Sequence, residues 1–159
     1  MRSNLVALGL LLFALVLQGV LSLYLPISDY VDLPLVVATW FALSRGEIAG
    51  MVGGSLSGWL SEALFGRGIR GVSGLIRLVL GFALGLLGSR FLITGALPRF
   101  VLLLAVTVID TRAYEFAAQA FGMSPVQYSP GAMTVRGTIN ASVGLVLFAL
   151  FERRPARTP

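Results

Sequence analysis

The sequence predicts a small all-α integral membrane protein of about six transmembrane helices, with no room for a soluble domain. Three observations lead there. Of 159 residues, 57% are hydrophobic and only 12% charged, at a mean hydropathy of +0.90, whereas a soluble domain carries about 25% charged residues. The charge deficit runs along the whole chain, which argues against one apolar anchor on a soluble body. At about 20 residues per span, the length allows about six helices joined by short loops, a single domain.

The first span is expected at 5–25. Arg2 followed by an apolar run invites comparison with a signal peptide, but Leu5–Leu25 outruns the usual h-region of about 7–15 residues. Pro26 stops it, and the following loop carries Asp29 and Asp32 without an arginine. Span two, at 31–44, is short for a core of about 30 Å, so it is expected to be partly re-entrant or shielded by its neighbours. Arg45-Gly46-Glu47 makes a polar turn into span three, 48–65. A basic Gly-rich loop, Gly66 to Gly71, leads to span four, 72–91. Pro98-Arg99 opens span five, 98–121, and the segment 122–131, with Pro125 and Pro130, reads as a loop. Span six, 133–151, completes a domain over 1–152, and a basic tail follows at 153–159 with Arg153, Arg154 and Arg157.

All 12 basic residues are arginine, and the chain has no Cys and no His. That excludes thiol catalysis, a disulfide framework and the usual zinc or haem ligands. The arginines sit mostly at the ends of apolar runs, where they set orientation in a bilayer, so nucleic acid is not an expected partner. With the N-terminus inside, Arg2, Arg45, Arg90, Arg99, Arg153, Arg154 and Arg157 fall on the cytoplasmic side and only Arg67 and Arg70 outside. Both termini are therefore expected in the cytoplasm, and the tail is expected to meet anionic lipid headgroups.

Two constellations stand out. Gly46, Gly50, Gly54 and Gly58 recur every fourth residue, and Glu62 continues the stripe; Gly74, Gly81 and Gly88, with Gly85, answer on span four. Residues at i and i+4 share a helix face, and nearly bare faces let membrane helices approach closely. The face serves either packing of spans three and four or docking of a partner helix. The second constellation is Glu62, Arg77, Asp110, Arg112, Glu115 and Arg136, charged residues within apolar spans. A charge at mid-bilayer costs about 2.5–3.5 kcal/mol on insertion scales, so each should face protein or a wet cavity. At ~1.5 Å per residue, all six fall in the outer half of the membrane. Arg112 and Glu115, at i and i+3, can pair on one helix, which leaves Asp110 to seek Arg77 or Arg136. The layer reads as an ion-pair network fixing helix register, with a polar ligand pocket or a proton path as alternatives.

Catalysis finds little support. Ser55, Ser57, Ser61 and Ser73 have no His or Lys to act as base, and Glu62 and Asp110 suggest no reaction class. No enzyme activity, cofactor or metal is expected.

Span two opens with Val31-Asp32-Leu33-Pro34 and closes with Ala42-Leu43-Ser44-Arg45-Gly46. Gly58-Trp59-Leu60-Ser61-Glu62 ends the Gly-rich span, a Gly-rich loop from Phe65 to Gly71 follows, and Gly74-Leu75-Ile76-Arg77-Leu78 opens the next. Over residues 30–95 these elements resemble MreD, the small membrane subunit of the bacterial rod-shape machinery; the remainder is similar only in hydropathy. The sequence departs from the family pattern at Glu62, where Asp is more usual, and at Arg77, where a small or apolar residue is usual. The resemblance implies a non-catalytic scaffold in the bacterial cytoplasmic membrane that binds MreC and helps organise peptidoglycan synthesis and cell shape. Further partners implied are RodA, its transpeptidase partner and MreB. It also implies a fold like the substrate-binding subunits of energy-coupling-factor transporters. The alternative function follows from that fold: capture of a vitamin or metal in an outer-half pocket.

Overall fold

The computed structural model describes residues 2–24, 30–65, 71–91, 93, 95–124 and 127–152. Arg67, Arg70, Asp29 and the tail arginines lie outside the described residues. Among the described residues the fold is all-helical, with six helices and no strand. They are α1 (Arg2–Tyr24), α2 (Leu33–Arg45), α3 (Glu47–Phe65), α4 (Val72–Arg90), α5 (Ala96–Ala120) and α6 (Pro130–Glu152). Among the described residues, two stretches are long and apolar enough to cross a membrane by length and composition, Val72–Arg90 and Pro130–Phe151.

Local chemistry sets the boundaries. The Asp32 carboxylate accepts the Leu35 N–H at 3.0 Å, satisfying an orphan donor at the start of α2, and Pro34 fits the first turn, where no N–H is required. Gly46, at φ +82°, ends α2 while its N–H donates to the Ala42 carbonyl at 3.0 Å. The left-handed backbone there is open to glycine at little cost. Helix α6 begins at Pro130, earlier than the expected span, because Ser129 acts as its cap: its Oγ accepts the Ala132 N–H at 3.3 Å. A Ser-Pro pair that reads as loop composition is thus a helix start.

Helix α2 is the centre. It packs against all five others, and α1, α3, α4, α5 and α6 follow one another around it, each touching the next. Among the described residues, α1 and α6 do not approach backbone to backbone; there Leu147 reaches over to the Leu11, Ala14 and Leu15 cluster. Along α2, every residue from Pro34 to Trp40 is buried, and so is Ala42. At 13 residues α2 is about 20 Å long, and its neighbours enclose it.

The closest packing is between α3 and α4, and glycine is the reason. A Cβ on Gly50 would strike the Gly81 carbonyl, one on Gly54 the Arg77 carbonyl, and one on Gly81 the Gly50 carbonyl. On Gly58 it would lie 2.5 Å from the Ser73 oxygen and on Gly85 2.5 Å from the Glu47 Cα; Gly88 faces α2 in place of α3, where a Cβ would lie 2.6 Å from the Leu43 oxygen. Gly74 receives the Trp59 ring, 2.5 Å from where a Cβ would sit. The stripe on α3 begins at Gly50. Gly46 stands apart from it: a Cβ there would meet nothing within 4 Å, and the position needs glycine for its backbone angle.

Candidate functional site

The chain reversals bring the C-termini of α1, α3 and α5 to the same end as the N-termini of α2, α4 and α6. The polar residues gather there. At the opposite end Ser89 donates to Glu47 at 3.0 Å, the Arg99 guanidinium lies 5.0 Å from the Phe148 ring centre, and Trp40 packs on Phe151.

Arg77, on α4, is the hub. Its Nε and Nη2 donate to Asp110 on α5, each at 3.2 Å. Nη2 also donates to Asp32 at the start of α2. The second oxygen of Asp32 faces both arginines, with Arg136 Nη2 of α6 at 3.5 Å. Arg77 and Asp110 are each 6% exposed, so these charges meet one another in place of water. A side-by-side pair of donors onto one carboxylate is the strong geometry for arginine. Four residues from four helices therefore form one closed cluster, with two acids balanced by two arginines. Removing one partner from such a buried set typically costs 3–5 kcal/mol.

Amides from α6 and α1 hold the backbone around Asp32. Asn140, fully buried on α6, accepts the Asp32 N–H at 2.9 Å. Gln18 on α1 accepts from Leu33 at 3.2 Å and donates to the Val31 carbonyl at 2.8 Å. Arg136 continues outward, donating to the Tyr128 hydroxyl at 3.0 Å with its guanidinium 5.1 Å from that ring.

Asp110 pairs with Arg77, one of its two expected partners, and Arg112 donates to Glu115 at 2.8 Å across the expected i, i+3 step. Glu115 also accepts the Tyr128 N–H at 3.1 Å, holding the segment before α6 against α5. Glu62 differs from the expected mutual pairing. Its carboxylate accepts the Gly71 N–H and, at 2.6 Å, the Ser73 N–H, so it caps α4, where the positive end of the helix dipole favours an anion. Asp32, Asn140 and Gln18 were not among the expected site residues. Two of them carried a usable signal: a lone amide in an apolar run is expensive unless it bonds across helices.

Above the cluster lies a cavity of about 920 Å³ whose walls come from all six helices. Arg77, Asp110, Asp32 and Arg136 line it, together with Tyr30, Tyr114 and Tyr128 and several serines. Of the glycine stripe, none lines it. Among the described residues, no three acids gather closely enough to hold a metal ion. No family model, curated protein or solved structure matches the chain.

Proposed function

We propose that the chain is a six-span protein of the bacterial cytoplasmic membrane with both termini in the cytoplasm, and a non-catalytic scaffold of the MreD kind. One observation carries the membrane part: charged and polar side chains of the helices are turned inward while large apolar ones face outward. The polar residues that lower the hydropathy of α3 and α5 are turned inward; Ser57, Glu62, Thr107, Asp110 and Glu115 are all buried. The outer faces of the same helices expose Val52, Trp59 and Leu64, and Val101, Ile109 and Phe116. On α1, Phe13 and Val16 stand 64% and 65% exposed. A soluble monomer rarely presents apolar patches of this extent, whereas hydrocarbon solvates them, and buried charges there must be answered within the protein.

The scaffold reading rests on the resemblance of residues 30–95 to MreD and on how the polar groups are committed. The charged cluster is internally paired and the glycine faces are occupied by each other, which suits a rigid platform offering its outer surface to MreC, RodA and its transpeptidase partner. A second reading, capture of a small molecule in the manner of energy-coupling-factor subunits, is favoured by the cavity of about 920 Å³. The test is purification of the tagged protein from its native membrane in mild detergent, with mass spectrometry of everything retained. Co-purifying MreC is the expected result. Recovery of transporter ATPase subunits in its place would overturn the scaffold reading. A reporter fused after Pro159 should be active only when designed to work in the cytoplasm.

A further inference from the structure

We infer that the cavity above Arg77 is a binding site for a small, neutral, polyhydroxylated molecule of saccharide type. At about 920 Å³ it falls within the range of small-molecule pockets, about 300–1,000 Å³. Its chemistry is narrower than its size. Each of the four carboxylates on its wall already has a donor: Asp32 and Asp110 hold Arg77, Glu62 holds the start of α4, and Glu115 holds Arg112 and Tyr128. The two wall arginines, Arg77 and Arg136, face Asp32 and Asp110. No charge is left in excess at the centre to select an ion of either sign.

Arg77 keeps a donor in reserve. Arg77 is 6% exposed, lines the cavity, and among the described residues its Nη1 has no hydrogen-bond partner. A buried guanidinium N–H without an acceptor is costly, and an oxygen supplied by an occupant would satisfy it. Around it, Ser61 and Thr111, whose protons go to the Ser57 and Thr107 carbonyls at 2.7 and 2.8 Å, offer hydroxyl oxygens that accept. A sugar hydroxyl meets that double requirement, and a simple cation or anion meets half of it. Tyr30 and Tyr114 add rings with apolar faces and polar edges, suited to the C–H face and hydroxyl rim of a sugar.

This site goes beyond the scaffold reading and deepens the capture reading. Absence of MreC from the purified protein would leave it standing, and failure to bind sugar would leave the scaffold reading standing. The experiment is calorimetric titration of the full chain, in a detergent without a sugar headgroup, with glucose, N-acetylglucosamine and sucrose, and with spermidine and citrate as charged counterparts. Saturable binding of at least one sugar, and none of spermidine or citrate, is expected. Ala132→Phe fills the cavity from α6 without removing a side-chain hydrogen bond, and should weaken binding about ten-fold or more. Gln127→Ala, on the exposed segment before α6, provides a second variant whose folding is not in question and should weaken it several-fold. Binding of no sugar, tighter binding of either ion, or unchanged sugar affinity in both variants would overturn the assignment.

Discussion

Along the α3–α4 seam two backbones touch; around the guanidinium of Arg77, side chains stand far enough apart to enclose about 920 Å³. Both regions are built by α3 and α4, and they share a residue. The Arg77 carbonyl lies against Gly54 in the seam, while its side chain reaches Asp110 and Asp32 in the cluster. The seam gains its stability from dispersion at close range, which needs the absence of side chains. The cluster gains its geometry from charges that cannot be left alone in a low-dielectric interior. One region is closed to any partner, and the other keeps space. Closeness of packing and room for a ligand are thus separated by a single residue's length.

The largest effect should come from the seam. Gly54→Leu forces the α3 backbone off the Arg77 carbonyl; backbone cannot yield as a side chain does, so the loss should exceed the about 1–3 kcal/mol of ordinary overpacking, and no folded monomer is expected by size-exclusion chromatography. A monomer with wild-type stability would show that the seam has slack. Next comes the cluster: Arg77→Leu leaves Asp32 and Asp110 facing each other and should destabilise by about 3–5 kcal/mol in detergent unfolding. The double variant Arg77→Leu/Asp110→Leu should recover part of that loss; a double variant worse than the single would contradict the pairing. Glu62→Ala removes the α4 cap and should cost about 0.5–2 kcal/mol, read as faster amide exchange at Gly71 and Ser73. The last test turns on a difference, separating two glycines that look alike. Gly46→Ala meets no atom and should cost about 1–3 kcal/mol for its positive φ, in a region open essentially to glycine alone, whereas Gly50→Ala, striking the Gly81 carbonyl, should cost more. Equal losses at the two positions would erase the distinction.

That last pair shows what was legible in sequence. Four glycines at a spacing of four announce a helix face, and Gly50, Gly54 and Gly58 form one. Periodicity is silent on whether a helix has been interrupted, so Gly46 entered the stripe although α2 ends there. The six helices were legible because apolar runs and Pro or Gly punctuation coincide. The Arg112–Glu115 contact was legible because it is local. Glu62 was misread because a carboxylate answers a helix N-terminus as well as it answers an arginine, and only tertiary structure shows which lies nearer. Asp32 was hidden for a related reason: as a cap before Leu33-Pro34 it already had a sufficient local role, and its second oxygen is spent on Arg77 and Arg136, 45 and 104 residues further along the chain.

On the proposed scaffold reading, the bundle offers its outer apolar faces to a partner helix. Photo-crosslinking in the native membrane probes this, with a photoreactive phenylalanine placed in turn at exposed Phe13 on α1, exposed Phe116 on α5 and buried Phe148 on α6. An adduct with MreC is expected from at least one outer position and none from Phe148. An adduct from Phe148 in folded protein, or no MreC adduct from either outer face, would overturn the scaffold reading.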